Sequence, residues 1–112
     1  MGIDIGAAHW SYTGFNRFRE RLAEADQIFL NGMEGFVENG MTWEGIKSPL
    51  VPLLFHSDCD GELTPKECQK VVPRLREIIS TWPDVDYDRI NGELLATAME
   101  QSVASHRPLR FS

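Results

Sequence analysis

A capping box constrains the fold of this chain more than any other feature. Thr64 is a favourable N-cap residue, Glu67 follows three residues later, and Pro65 suits the first helical position. Apolar residues then recur with helical spacing on one stripe: Cys68, Val71, Val72, Leu75, Ile78, Ile79 and Trp82. Pro73 falls off this stripe, where proline kinks a helix without breaking it. The sequence therefore predicts an amphipathic helix that begins after Thr64 and follows the stripe to its end.

Two more helices are predicted, one on each side of this helix. The first is capped by Thr13 and has a buried stripe of Phe15, Phe18, Leu22, Ala25 and Phe29. The last runs from about residue 86 to about residue 105, with a buried face of Ile90, Leu94, Leu95, Ala98, Met99 and Val103. Glycines interrupt the periodicity from Leu30 to Lys47, so that region is expected to be irregular. The apolar stretch from Pro49 to Phe55 is expected to form a short buried helix, with an extended segment as the alternative.

The organisation that follows is a single α-rich domain over residues 9–112, preceded by a flexible tail over residues 1–8. The last residues, from Pro108 to Ser112, are expected to be extended and to pair with His9–Ser11 in a small ribbon. The predicted fold class is therefore mainly α. It is a single compact helical domain of about three main helices, with a small two-stranded ribbon from the termini.

The charge balance bears on the class of partner. The chain has 17 acidic and 11 basic residues and a formal charge of -6. A nucleic-acid partner is not expected, because phosphate binding needs a basic face. Acidic residues lie among and after Arg17, Arg19 and Arg21, as on a solvated helix face: Glu20, Glu24 and Asp26. No apolar run is long enough for a membrane helix and no secretory signal is present, so a cytoplasmic location is expected, with Cys59 and Cys68 as thiols. The acidity favours another protein, and within that class a basic one.

The segment from His56 to Glu67 matches most of an EF-hand calcium loop. Such a loop needs oxygen ligands, a glycine at position six and an aliphatic residue at position eight. The matching residues here are Asp58, Asp60, Gly61, Leu63 and Glu67. Position one is His56 instead of aspartate, which removes one carboxylate. The segment therefore predicts either a polar turn that leads into a capped helix or a Ca²⁺ site of Asp58, Asp60 and Glu67, and His56 is a metal-ligand candidate that suits a transition metal better.

Two other chemistries remain open for the same loop. A transition metal would accept imidazole and thiolate ligands from the set His56, Asp58, Cys59, Asp60 and Cys68. Cys68, however, lies on the apolar helical stripe, where a buried structural cysteine is expected. Alternatively, Cys59 could act as a nucleophile beside His56 and Asp58, with His9 or His106 as another base.

The aromatic cluster before the first helix is the candidate binding surface. Trp10, Tyr12 and Arg17 are residue types that are favoured in protein-binding hot spots. The alternative is that the cluster packs over the end of the helical core, with its polar atoms hydrogen-bonded.

Two segments, Trp10–Arg19 and His56–Pro65, together resemble a family of small uncharacterised actinobacterial proteins with more distant phage relatives. The resemblance rests on a Ser-Tyr-x-Gly-aromatic pattern, a Ser-Asp-Cys-Asp-Gly loop and the later segment from Trp82 to Asp88. It implies a bacterial cytoplasmic setting and a compact single domain, but no particular activity. It also implies that the two segments meet, with Tyr12, Arg17, His56 and Asp58 on a common surface.

Three functions are carried forward from the sequence. The first is a small acidic cytoplasmic accessory protein that binds another protein and holds a divalent cation in the 56–67 loop. The second is a small hydrolase that uses the His56–Asp60 loop. The third is an antitoxin, immunity or phage counter-defence protein, since such proteins are often small and acidic.

Overall fold

The structure, a computed structural model, describes residues 2–56 and 61–112. The α-helices within them are α1 Tyr12–Ala25, α2 Val51–Leu54, α3 Pro65–Ile79 and α4 Tyr87–Ser105. The strands within them are β1 Gly2–Ile5, β2 Ala8–Ser11, β3 Glu62–Leu63 and β4 Leu109–Arg110. The strands form two antiparallel pairs, β1 with β2 and β3 with β4. The fold is mainly α and compact, with a Cα radius of gyration of 13.2 Å, and two small sheets are added to its helices.

Helix α3 begins at the predicted capping box. The Thr64 hydroxyl accepts a hydrogen bond from the Glu67 amide at 3.1 Å, and the Thr64 amide donates to Glu67 Oε1 at 2.9 Å. The predicted stripe is buried through Ile79, whereas Pro73 lies exposed inside the helix. Because two otherwise unpaired amides are satisfied by this box, the start of α3 is well defined.

Helix α4 packs on α3 through a stripe that includes Leu95, Ala98 and Met99 of the predicted face. Ile90 and Leu94 are 49% and 37% exposed, so their assignment to the buried face is wrong. The residues that are buried on α4 are Asn91, Gly92, Leu95, Ala96, Ala98, Met99 and Ser102. A Cβ at Gly92 would lie only 3.2 Å from a methyl group of Ile79. Small side chains therefore bring the two helices together, and hydrophobicity alone does not identify that face.

The N-terminal residues are part of the fold, which corrects the predicted tail. Gly2–Ile5 forms β1, and its alternating residues Ile3 and Ile5 are fully buried. A two-residue turn at Gly6 and Ala7, with Gly6 at φ +59°, joins β1 to β2.

The predicted ribbon between the two termini also needs correction. Strand β2 pairs with β1, and the C-terminal strand β4 pairs with β3. The C-terminal segment does reach the N-terminal hairpin, but through β1, where Asp4 and Ser112 exchange backbone hydrogen bonds of 3.1 and 3.0 Å. The tight turn after β1 explains the difference, because it places β2 directly beside β1.

Helix α1 begins earlier and ends earlier than predicted. Ser11 is its N-cap in place of Thr13, and the Ser11 hydroxyl accepts from the Gly14 amide at 2.9 Å. At its C-terminal end Gln27 adopts φ +60°, and the chain then leaves the helix axis. The predicted stripe consequently fails after Leu22, and Phe29 is exposed.

The region between α1 and α2 is irregular, as predicted, and contains a single 3-10 turn at Leu30–Gly32. The short buried helix expected in the Pro49–Phe55 stretch is α2, whose Leu53 and Leu54 are fully buried. No helix in residues 2–56 or 61–112 is both long and apolar enough to cross a membrane.

Candidate functional site

The predicted cation loop falls partly outside the described residues. Asp58 and Asp60 are not among them, and neither is Cys59. Glu67 caps α3, while His56 Nε2 lies 3.0 Å from the Glu62 carbonyl oxygen, to which it can donate a hydrogen bond. In the described part of the chain, no three His, Cys, Asp or Glu side chains form a group that could hold a metal ion. The cation site therefore stays a prediction, and its two described candidates both have structural roles.

The two segments that carry the family resemblance meet in the fold. The His56 ring packs on Phe111 with centroids 4.1 Å apart, and Phe111 meets the ring of Phe15 edge-on at 6.2 Å. Arg19 donates to the carbonyl oxygen of His56. The segments are therefore joined through Phe15 and Arg19. The predicted common surface of Tyr12, Arg17, His56 and Asp58 stays a prediction, because Asp58 lies outside the described residues.

Arg19 is buried, which corrects its assignment to a solvated helix face. Its side chain is 2% exposed, and its guanidinium also donates to the Leu54 carbonyl oxygen at 3.3 Å. The guanidinium carbon lies 4.7 Å from the ring centre of Phe15 and 5.2 Å from that of Phe36. Carbonyl groups at a helix end lack intrahelical donors and carry partial negative charge, so a buried cation fits there. Arg19 thus fastens α2 and the segment before it to α1.

The candidate binding residue Trp10 is also buried, so the prediction that it forms a binding surface is wrong. Its ring stacks on Phe18 with centroids 4.5 Å apart, and Nε1 donates to Asp88 Oδ1 at 3.1 Å. This is the alternative interpretation, in which the aromatic cluster packs over the core. Tyr12 is half-buried against the core, and only Arg17 of the three candidates is exposed.

A polar network surrounds Trp10 and holds the start of α4 to α1. Arg21 donates to Asp86 at 3.0 Å and to Asp88 at 2.9 Å, and its guanidinium carbon lies 3.7 Å from the Trp82 ring centre. The hydrogen bond from Arg21 holds the pKa of Asp86 below its ordinary value. The carboxylates of Asp86 and Asp88 therefore already have hydrogen-bond partners within the protein, as expected for residues with a structural role.

The residues proposed for nucleophilic chemistry are not brought together among the described ones. Cys68 is fully buried as a free thiol, and its burial raises its pKa, which fits the structural interpretation. His9 lies on the exposed hairpin with Nδ1 2.7 Å from Asp4. His106 follows α4 in the left-handed conformation. The hydrolase alternative depends on Cys59, which lies outside the described residues, and stays a prediction.

The irregular stretch between α1 and α3 presents an unexpected surface. We call residues 27–55 the middle segment. Four of its large apolar side chains are exposed: Phe29 by 75%, Met41 by 68%, Val37 by 48% and Phe55 by 47%. We call these four residues the apolar cluster. Large exposed apolar side chains that lie on one ordered segment are candidates for a protein-interaction site, although single ones are common on any folded surface.

The backbone of the middle segment is ordered by specific contacts. Met41 donates its amide to the Gly32 carbonyl at 2.9 Å, and its own carbonyl accepts from the Glu34 amide at 2.8 Å. Trp43 Nε1 donates to the Glu34 carbonyl at 2.9 Å, and the Trp43 ring stacks on Phe55 at 5.1 Å. The exposed side chains are therefore carried on a folded loop.

One carboxylate, that of Asp26, links the start of the middle segment to its neighbours in the fold. Asp26, at the end of α1, accepts from the Ser48 hydroxyl at 2.6 Å and from Arg74 Nε of α3 at 2.9 Å. Burial would raise the pKa of Asp26, but the hydrogen bonds from Arg74 and Ser48 outweigh it and hold that pKa below its ordinary value. Both ends of the loop are thereby tied to α3.

Comparison with protein-family models, with curated proteins and with solved structures gives no match for this chain. The apolar cluster was missed at the sequence level because Phe29 was assigned to the buried stripe of α1. A usable signal does exist in the composition, since no lysine or arginine occurs between Leu22 and Ile46.

Proposed function

We propose that this protein is an accessory protein that acts by binding another protein through the apolar cluster of its middle segment. The observation that carries the proposal is the exposure of Phe29, Val37, Met41 and Phe55 on an ordered loop. Aromatic and methionine side chains are enriched in protein interfaces, where they bury large areas at low cost in hydrogen bonding.

The rest of the structure supports an interaction role for this loop. Phe29, Val37 and Met41 do not belong to the buried core, whereas Phe55 stacks with its inner face on the buried Trp43 and is half exposed. Loops on a rigid scaffold commonly carry binding residues. A second exposed apolar group lies on and just before α4 and comprises Val85, Tyr87, Ile90 and Leu94. This second group supplies the matched control.

The test is affinity capture from the native host with three forms of the protein: wild type, F29S/M41S and V85S/I90S. We expect a stoichiometric partner with the wild type and with V85S/I90S, and its loss with F29S/M41S. Both variants replace two exposed apolar residues, so circular dichroism should show unchanged helix content in each. Loss of the partner only with V85S/I90S, or no stoichiometric partner with any form, would contradict the proposal.

The other functions predicted from the sequence stay predictions. A divalent cation in the 56–67 loop can be tested by thermal melting with EDTA, calcium, magnesium and zinc. A ligand at about 100 times its dissociation constant stabilises the folded state by about 2.7 kcal/mol. The hydrolase alternative would be supported by an enzymatic activity that substitution of Cys59 or His56 abolishes. An antitoxin or immunity role would be tested by identifying the neighbouring genes.

A further inference from the structure

The negative charge of this protein is concentrated in one stretch of chain. Residues 22–46 contain Glu24, Asp26, Glu34, Glu38 and Glu44 and no lysine or arginine. The remaining residues contain the other 12 acidic side chains and all 11 basic ones. Almost the whole formal charge of -6 therefore comes from the stretch that carries Phe29, Val37 and Met41.

Most of these carboxylates lack the ion pairs that hold many of the other acidic residues, although Glu20, Glu62 and Glu67 also have none among the described residues. Elsewhere, arginines neutralise most of the acids near them, in the pairs Arg21 with Asp86 and Asp88, Arg76 with Glu93 and Glu100, and Arg89 with Asp84. Asp26 is paired with Arg74. Among the described residues, no ion pair includes Glu24, Glu34, Glu38 or Glu44. Their charge is consequently available to an outside partner.

The acidic residues border the apolar cluster. Phe29 lines a cavity of about 410 Å³ together with Glu20 and Glu24. Glu34 is paired through its backbone with both Met41 and Val37, and Glu38 follows Val37 in the chain. Apolar anchors bordered by charge are the usual anatomy of a specific interface, because the rim sets the association rate and the choice of partner.

From this arrangement we infer that the partner presents a basic amphipathic helix, with apolar side chains for the cluster and lysine or arginine for the acidic rim. This inference rests on the proposed function and names the chemistry of its partner. A helix docks through side chains alone, and methionine adapts to such faces. The middle segment has only isolated β-bridges among its described residues, so it offers no strand edge to an extended peptide. A second copy of this chain would bring two like-charged stretches together, which is unfavourable.

The test uses three fluorescently labelled synthetic peptides of about 18 residues, a length that gives several helical turns. The first has leucine and phenylalanine on one face and lysine on the other. The second has glutamate in place of each lysine, and the third has the composition of the first in an order without amphipathic spacing. Binding is measured by fluorescence polarisation at low and at high salt with the wild type and with three double variants: F29S/M41S, E34Q/E38Q and the control E62Q/D84N.

The lysine peptide should bind the wild type with a dissociation constant that rises about tenfold or more between 50 and 300 mM salt. The F29S/M41S variant should weaken binding about tenfold or more, and E34Q/E38Q about threefold to tenfold, chiefly through slower association. The E62Q/D84N variant removes two exposed carboxylates outside the middle segment and should bind like the wild type. The glutamate peptide and the reordered peptide should bind at least about tenfold more weakly.

Several results would overturn the inference. Equal binding of the lysine and glutamate peptides would do so, as would an effect of E62Q/D84N as large as that of E34Q/E38Q. A concentration-dependent dimer that F29S/M41S dissociates would assign the apolar cluster to a second copy of this chain. A host partner that is lost with F29S/M41S but captured unchanged by E34Q/E38Q would preserve the proposed function and reject the basic helix.

Discussion

In the helical core, formed by α1, α3 and α4, side chains such as Phe18, Leu75 and Ile79 are fully buried in periodic stripes. In the middle segment, apolar residues such as Leu30 and Leu53 join the same core, and polar anchors order the irregular backbone: Arg19 beneath it, Trp43 within it and Asp26 at its base. The helical core thus derives its stability from periodic apolar contacts, whereas the middle segment combines fewer buried apolar residues with single polar anchors. The difference shows how a small protein can keep apolar residues exposed on a loop without giving up its core.

The largest expected effect comes from the core. Leu75→Ala removes a fully buried side chain of α3 and should lower the free energy of unfolding by about 3 kcal/mol. The loss should be global, and urea unfolding followed by circular dichroism measures it. Leu94→Ala, on the exposed side of α4, is the matched control and should cost less than about 1 kcal/mol. Equal costs at the two sites would contradict the observed packing of α4.

The next largest effect should separate the two regions. Arg19→Met keeps the apolar stem but removes the hydrogen bonds that Arg19 donates to the Leu54 and His56 carbonyl groups, and should cost about 2 kcal/mol. Hydrogen exchange should quicken first in residues 29–55 and much less in α3. Arg17→Met changes an exposed arginine two residues away and should leave exchange unaltered. Uniform acceleration across the whole chain with Arg19→Met would show that the middle segment is not a separate unit.

A smaller effect is expected at the base of the loop and should depend on pH. The pKa of Asp26 is lowered in the folded state, so its contribution is fully present above its unfolded pKa of about 4 and is lost as pH falls through the folded value. Asp26→Asn should therefore cost about 1 kcal/mol at pH 7, and the difference from wild type should shrink below about pH 4. Melting temperatures from pH 3 to 7 measure this difference. The control variant Glu24→Gln changes an exposed neighbouring carboxylate and should melt at the same temperature as the wild type. A melting difference between Asp26→Asn and the wild type that stays constant down to pH 3 would contradict the ion pair.

The smallest effect on stability is expected in the apolar cluster. The F29S/M41S variant changes two exposed side chains, so the free energy of unfolding should change by less than about 0.5 kcal/mol in denaturant titrations. A loss of several kcal/mol would mean that these residues pack into the fold and that their role is structural. Unchanged stability together with lost binding is the outcome that distinguishes an interface from a core.

The success of the sequence predictions also differs between the helical core and the middle segment. Helix α3 was predicted with its cap and its buried stripe because local chemistry and periodicity agree there. Strand β1 was missed although Ile3 and Ile5 alternate with Gly2 and Asp4, since four residues next to a turn are a weak signal. The buried face of α4 was predicted only in part, because close packing selected Gly92 and Ala96 over Ile90.

The candidate surface was harder to predict than the fold. Whether Phe29 is buried depends on where α1 ends, and Gln27 in the left-handed conformation decides that. Arg19 lies in sequence among exposed charged residues, and only the tertiary position of the Leu54 and His56 carbonyl groups accounts for its burial. Such non-local contacts cannot be recognised from the periodicity of the sequence. The charge asymmetry of residues 22–46, in contrast, is visible in the sequence itself.

The position of Trp43 has a practical, spectroscopic consequence. The chain has three tryptophans, and Trp10 and Trp82 both contact Phe18 in the helical core, while Trp43 belongs to the middle segment and stacks on the exposed Phe55. With Trp10 and Trp82 replaced by phenylalanine, the remaining indole emission would come from the loop that carries the apolar cluster. The protein therefore contains its own optical reporter, and a partner that covers Phe55 should shift the emission of Trp43 to shorter wavelength.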